Sequence, residues 1–415
     1  MHSLNQPEQT IYLTVKAMLE LSEVYNAARV LKGVARRTPI MYASRINPEV
    51  EVHLKCENLQ NTGSFKLRGA YYKISQLSDE EKSRGVIACS AGNHAQGVAL
   101  GASRNGIKSI ICLPAGAPLS KVEATKGYGA EVCLVPGVYD DAYAKAVELR
   151  DKEGYTFVHP FDDLKVIAGQ GTIGLEIIED MPDVEAVVVP IGGGGLIAGV
   201  AFAIKQLRPD VKIYGVQAEG APSMYKSIKS GKREHLDSVK TIADGIAVKE
   251  PGVNTFELIG KYVDEVVTVS EDEIAAAILA LMEQKKLVSE GAGAVSVAAV
   301  MFDKIPVKGK KTVCVVSGGN IDVTAHNRAV RRGLVKSGRD CSLILDLEDK
   351  PGQLSGVLHV IAACGGNVVS IVHERNSAST DVNGCKLHVE LETRNHEHIR
   401  EIRESLTEAG FKIVD

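Results

Sequence analysis

Glu185-Ala-Val-Val-Val-Pro-Ile-Gly-Gly-Gly-Gly-Leu-Ile-Ala-Gly199 runs from unbroken apolar residues through four glycines into a second apolar stretch. An apolar run without alternation reads as a strand covered on both faces, the habit of parallel sheets. A glycine turn between such a strand and a helix marks the carboxyl edge of the sheet, where ligands bind. The same punctuation recurs on either side of it. Gly85-Val-Ile-Ala-Cys89 leads into Ser90-Ala-Gly-Asn-His94, and Lys311-Thr-Val-Cys-Val-Val316 leads into Ser317-Gly-Gly-Asn320. Lys108-Ser-Ile-Ile-Cys-Leu113, Glu131-Val-Cys-Leu-Val135 and Val211-Lys-Ile-Tyr-Gly-Val216 are further strand-like runs with helical stretches between them. From about residue 50 to residue 330 the chain therefore reads as α/β, built on parallel sheets with helices on both faces.

The chain has 415 residues, enough for two or three cores, and 48 basic residues balance 52 acidic ones. Without a basic block, nucleic acid and anionic membranes are not expected partners, and a small-molecule substrate is. Eight cysteines lack any C-x-x-C pair, and five sit in strand-like runs, so they read as free thiols in a reducing compartment. No signal-like or membrane-spanning apolar stretch occurs, and the expected location is cytoplasmic. Residues 1–17 read as an N-terminal extension, with helical periodicity beginning after Met18. Arg331-Arg-Gly-Leu-Val-Lys-Ser-Gly-Arg339 lacks an apolar periodicity and reads as a linker, placed at 333–340 between a domain at 18–332 and a module at 341–415. A smaller subdomain is expected at roughly 55–155. The C-terminal module reads βαββαβ, which is ferredoxin-like.

Chemistry gathers at the loops. Lys66, in Asn61-Thr-Gly-Ser-Phe-Lys-Leu-Arg-Gly-Ala70, lies between Phe65 and Leu67. A lysine desolvated there would lose proton affinity and gain nucleophilicity. The amides of Ser90, Ala91, Gly92, Asn93 and His94 open a helix and suit a carboxylate or phosphate. Gly192, Gly193, Gly194 and Gly195 suit a phosphate nest. Gly193-x-Gly195-x-x-Ala198, with Glu219 after the next strand, also matches a dinucleotide fingerprint. A hydride-transferring enzyme has no use for a desolvated lysine, whereas a phosphorylated aldehyde cofactor needs both the amine and the phosphate cradle. The combination points to pyridoxal 5′-phosphate.

These motifs together resemble the fold-type II pyridoxal-phosphate enzymes, and among them the threonine/serine dehydratases, from about Met18 to Gly333. The matching segments are Ser64-Phe-Lys-Leu-Arg-Gly-Ala70, Ser90–His94, Gly192–Gly195 and Ser317-Gly-Gly-Asn320. Residues from about 340 resemble an ACT regulatory domain through Asp349-Lys-Pro-Gly-Gln-Leu354. The resemblance implies two open, twisted, mostly parallel sheets covered by helices, followed by the ferredoxin-like module. It further implies that Lys66 carries the cofactor as a Schiff base and serves as the catalytic base. Phe65, Leu196 and Gly318 would flank the cofactor, Asn93 would contact its 3′-oxygen, and Gly192–Gly195 would hold its phosphate. Ser317 would face the ring nitrogen as a neutral partner, and Ser90–His94 would receive the substrate carboxylate.

The activity so implied is β-elimination of L-threonine to 2-oxobutyrate and ammonia, with L-serine as a second substrate. Leu67 departs from the aspartate of threonine and cysteine synthases, and Ala91 from the second acid/base serine of serine racemases. Serine racemase or dehydratase activity and a non-catalytic amino-acid sensor remain the alternatives. No metal is assigned, Glu219 being a weak candidate because its acidic partner is missing from Gly220–Tyr225. The ACT-like module implies an amino-acid or nucleotide effector near Pro351, Gly352, Gln353, Leu354 and Asn367, and assembly as a homodimer or homotetramer.

Overall fold

The computed structural model describes residues 18–375 and 383–414. The N-terminal extension and most of the polar turn from Asn376 to Gly384 lie outside the described residues.

Three sheets organise the chain. The largest has six strands in the spatial order Ile40–Tyr42, Glu51–Cys56, Lys311–Val316, Ala186–Pro190, Lys212–Ala218 and Glu265–Val269. All its pairings are parallel except the first, which is antiparallel. A second, wholly parallel sheet runs Glu131–Val135, Ser109–Pro114, Val86–Cys89 and Thr156–Phe157. The runs identified from the sequence form the centre of the six-stranded sheet and, in this second sheet, the two central strands and the edge strand Glu131–Val135. Short or mixed strands such as Ile40–Tyr42, Glu51–Cys56 and Thr156–Phe157 carry no comparable run, because their neighbours rather than their composition hold them in place. Cys56 ends a strand of the larger sheet, so the smaller subdomain begins after it.

The core of the larger sheet is aliphatic on both faces. Val187, Val189, Val313 and Val315 pack toward the helices Leu164–Asp180 and Gly195–Leu207, while Val188, Cys314 and Val316 pack toward Gly291–Met301. Burial of this kind stabilises by about 25 cal/mol per Å² of apolar surface removed from water.

The first half of the linker expected at 333–340 is helix. Residues Val323–Lys336 form one continuous helix, capped by the Asp322 carboxylate on the Thr324 amide, and the next strand opens at Asp340. Its contact stripe is Ala329 and Gly333, both buried, and a Cβ at Gly333 would lie 2.8 Å from the Ala275 carbonyl of helix Glu271–Lys285. Two small residues one turn apart let the helices touch closely, and they give no apolar periodicity for a sequence reading to find.

The C-terminal module is βαββαβ with spatial strand order Asn367–Glu374, Gly384–Glu392, Asp340–Glu348 and Lys412–Ile413, all antiparallel. Helices Gln353–Cys364 and His396–Glu408 cover the face carrying Leu343, Leu345, Leu347, Leu387 and Val389.

Candidate active site

Strand ends of both parallel sheets open on one cavity of about 920 Å³. Phe65, Lys66, Ser90, Ala91, Gly92, Asn93, His94, Gly192, Gly193, Gly194, Gly195, Leu196 and Ser317 all line it. Gly318 stands directly behind the wall, its carbonyl accepting the Glu290 amide at 3.1 Å.

Lys66 begins the helix Lys66–Ser75, and its position is tied to the Ser317–Asn320 loop, since the Phe65 amide donates to the Ser317 carbonyl at 3.1 Å. Its amine donates to the Pro160 carbonyl at 2.7 Å and lies 5.4 Å from the centre of the Phe65 ring. Burial pulls the amine down to about 8, against the opposing pull of the Glu290 carboxylate. A tenth or so of such amines is uncharged at neutral pH, a reactive fraction far above that of a surface lysine.

The glycine loop fits a phosphate. Gly194 adopts φ +99° at the N-cap of helix Gly195–Leu207, with no side-chain cap on the helix amides. The Thr255 hydroxyl holds the Gly193 carbonyl at 2.7 Å, which turns the amide of the same trans peptide, that of Gly194, the opposite way. A Cβ at Gly193 would meet the Phe161 ring at 2.4 Å, so the loop accepts no larger residue without moving. Uncapped amides at the start of a 13-residue helix, beside a lysine amine and a serine hydroxyl, are a donor set matched to a phosphorylated aldehyde.

Asn93 is fixed from both sides. Its carbonyl oxygen accepts from the Asn320 amide at 2.7 Å, and its own amide donates to Glu290 at 2.7 Å. The second amide proton is thereby free to point to a ligand oxygen. Ser90 is partly spent on its own turn, its hydroxyl accepting from the Gly92 amide at 3.2 Å. The His94 ring is turned away to the Val158 carbonyl at 2.8 Å, and burial, then the Lys66 charge, hold it down to about 3. What His94 offers the cavity is its backbone.

Several groups in the site carry no motif. Glu290 is buried, and burial, with the Asp244 carboxylate adding to it, pushes its carboxyl up to about 7. It stands at the N-cap of Gly291–Met301, a helix buried on nearly every side, and a carboxylate introducing such a helix must itself be buried. That was the available signal. A Cβ at Gly318 would fall 2.4 Å from the Glu290 carboxylate and 3.2 Å from the Asn93 amide, so glycine there makes room for the pair. His159 accepts the amides of Phe161 and Asp162 on Nδ1, shaping the turn whose Pro160 carbonyl holds Lys66. Beneath the site, Arg68 is buried and bonded to Glu57 and Glu176, and Lys55 donates to Glu176 at 2.6 Å.

The regulatory candidates lie elsewhere. Gly352 adopts φ +94° and opens helix Gln353–Cys364 without a side-chain cap, with Pro351 before it and Leu354 in the first turn. Asn367 pairs with Glu392, six residue steps along the sheet from the Glu374–Lys386 pair near that turn, or roughly 20 Å. One copy of the module does not bring them together. Glu219 is exposed at a strand end, and among the described residues it belongs to no group of three close metal-ligating side chains.

A cavity bearing a buried lysine amine, a glycine loop with uncapped helix amides and a neutral hydroxyl suits a pyridoxal-phosphate enzyme rather than a nicotinamide one. Residues 31–319 match the family model described as pyridoxal-phosphate dependent enzyme, and the chain belongs to that family. It is 52% identical over 398 residues to an L-threonine ammonia-lyase of Thermotoga maritima, an alignment covering 95% of this chain and 99% of that one. Among solved structures, the processed form of threonine deaminase isoform 2 from Solanum lycopersicum superposes with a TM-score of 0.72 at 40% identity, covering 75% of this chain and 87% of that one. Maize serine racemase superposes with a TM-score of 0.71 at 33% identity, covering 76% and 98%. The dinucleotide reading of Gly193–Ala198 falls with the family assignment. Among the described residues, no helix is long and apolar enough to cross a membrane.

Proposed function

We propose that the chain is a threonine ammonia-lyase that converts L-threonine to 2-oxobutyrate and ammonia and L-serine to pyruvate. The observation that carries this is Lys66: an amine of lowered proton affinity, anchored on Pro160, in one cavity with an uncapped glycine cradle. Bound there, pyridoxal 5′-phosphate supplies the electron sink for the charge left at the α-carbon. The protein's own residues do the rest. The amides of the Ser90–His94 loop hold the substrate carboxylate, and the Ser317 hydroxyl offers the ring nitrogen a neutral partner. The Lys66 amine removes the α-proton and, as its conjugate acid, returns a proton to the β-hydroxyl, which leaves as water. The resulting enamine tautomerises and takes up water to give the oxo acid and ammonia.

A racemase fold-mate makes the stereochemical alternative concrete, and Ala91 argues against it. That residue lines the cavity with a methyl group where racemisation would call for a second proton donor. Assay of the holoenzyme with L-threonine and L-serine, reading oxo acid by coupled reduction and D-serine by chiral chromatography, tests both. Oxo acid from threonine without D-serine is expected. Bound cofactor with neither product would favour an amino-acid sensor, and D-serine as the main product would favour a racemase.

The C-terminal module fits control by an amino-acid or nucleotide effector. Its outer strand is an exposed edge, with Val369 50% and Val372 58% exposed. Such an edge invites pairing with a second copy. Antiparallel pairing there would set the Asn367 end of one copy beside the Pro351–Leu354 turn of the other, joining the two halves of the effector site in a homodimer or homotetramer.

A further inference from the structure

Three neighbouring strands of the C-terminal sheet carry apolar residues at alternate positions on their helix-covered face. Leu343, Leu345 and Leu347 line one, Leu391, Val389 and Leu387 the second, and Ile371, itself exposed at the sheet's edge, pairs with Val389 from the third. At one end of the sheet all three series stop being aliphatic together. Continued by two, they arrive at Asp349, Cys385 and His373. Leu347 pairs with Cys385 and His373 with Leu387, which sets Cys385 and His373 diagonally on that face. The Asp349 amide donates to the Asn383 carbonyl at 2.9 Å, which brings its side chain to the same corner. A carboxylate oxygen, an imidazole nitrogen and a thiol sulfur there lie within 4.8 Å of one another, the sulfur and the His373 Nε2 only 2.9 Å apart.

We propose that Asp349, His373 and Cys385 form a binding site for a borderline-soft divalent cation of the Zn²⁺ type. One oxygen, one nitrogen and one sulfur donor suit zinc, cobalt or nickel and not calcium or magnesium, which require oxygen alone. Zinc bonds of about 2.0–2.3 Å place tetrahedral donors about 3.3–3.7 Å apart. The three atoms need only side-chain adjustments of about an ångström or so to reach that spacing. Cys385 is buried while Asp349 and His373 are exposed, so a cation has a way in and a fourth position left for water. Arg375, whose Nε lies 3.3 Å from the Asp349 carboxylate, is the group the cation displaces. The Cys385 thiol gives up its proton to solvent as the metal–sulfur bond forms. Because Asp349 begins the turn that leads to Gly352, a bound ion would tie that turn to the sheet.

The full-length holoenzyme, treated with chelator, equilibrated with zinc chloride and freed of excess metal, is analysed by elemental mass spectrometry. About one retained zinc per chain is expected, with loss of that ion in Cys385→Ser, His373→Ala and Asp349→Ala. The last two replace exposed side chains, so folding does not confound them. Cobalt-loaded minus zinc-loaded spectra of the same holoenzyme should show a thiolate-to-cobalt charge-transfer band that is absent in Cys385→Ser. No retained metal in the wild type, or equal retention in wild type and His373→Ala, would overturn the site.

Discussion

Replacing Arg68 by methionine should destabilise this protein more than any surface change, because of what the guanidinium leaves behind. Arg68 donates to both oxygens of Glu57, at 2.9 and 2.8 Å, and to both oxygens of Glu176, at 2.6 and 3.0 Å. Methionine fills most of the volume, so the cavity contribution is small. Glu57, fully buried, would keep only the Thr38 hydroxyl at 2.5 Å, while Glu176 retains Lys55. Removing one partner of a buried ion pair costs about 3–5 kcal/mol. For a chain of this size each kcal/mol lowers the unfolding midpoint by roughly 2 °C, so a drop of roughly 6–10 °C is expected. The measurement is thermal unfolding by circular dichroism at one scan rate, for Arg68→Met, Glu57→Gln and the double variant. The double variant should recover at least about 2 kcal/mol of the summed losses, because the uncompensated charge disappears with its partner. A midpoint for Arg68→Met within about 1 °C of wild type, or a strictly additive double variant, would refute the reasoning.

Other consequences are as direct. Lys66→Ala should remove the long-wavelength absorbance of the purified protein and lower threonine deamination by at least about 10²–10⁴-fold, the usual worth of a general base; a yellow, active variant would exclude Lys66. Gly194→Ala forces a side chain into φ +99° with Thr255 and Ile259 each 2.9 Å from the new Cβ. A backbone cost of about 1–2 kcal/mol implies roughly tenfold or greater loss of cofactor affinity in an apoenzyme titration. Glu290 has a folded-state pKa raised to about 7 from an ordinary 4.5, so the folded apoprotein binds the extra proton and loses stability as pH rises through that window. Glu290→Gln should therefore gain on wild type by up to about 3 kcal/mol between pH ~5 and ~8, read from unfolding midpoints of the two apoproteins; parallel pH profiles would show that Glu290 does not titrate there.

The α/β class, the glycine loops and the lysine that lines the cavity were legible because each depends on residues adjacent in the chain. A parallel strand buried on both faces must be apolar throughout, as Ala186–Pro190 is, and an anion-binding turn must be glycine-rich where backbone approaches ligand. Family pattern at Leu67 and Ala91 then narrowed the chemistry. The C-terminal βαββαβ order was equally plain from its alternation, whereas the helix through Lys336 was hidden because it packs by small residues rather than large apolar ones.

The sequence by itself determined which chemical groups line the cavity: an amine, a glycine loop opening a helix and a neutral hydroxyl. Only the tertiary structure decided how they are tuned. Asn93 meets Glu290 across 197 residues, Lys66 meets Pro160 across 94, and Arg68 meets Glu176 across 108. Proton affinity depends on burial and on charges within a few ångströms, and chain folding, not chain order, sets both.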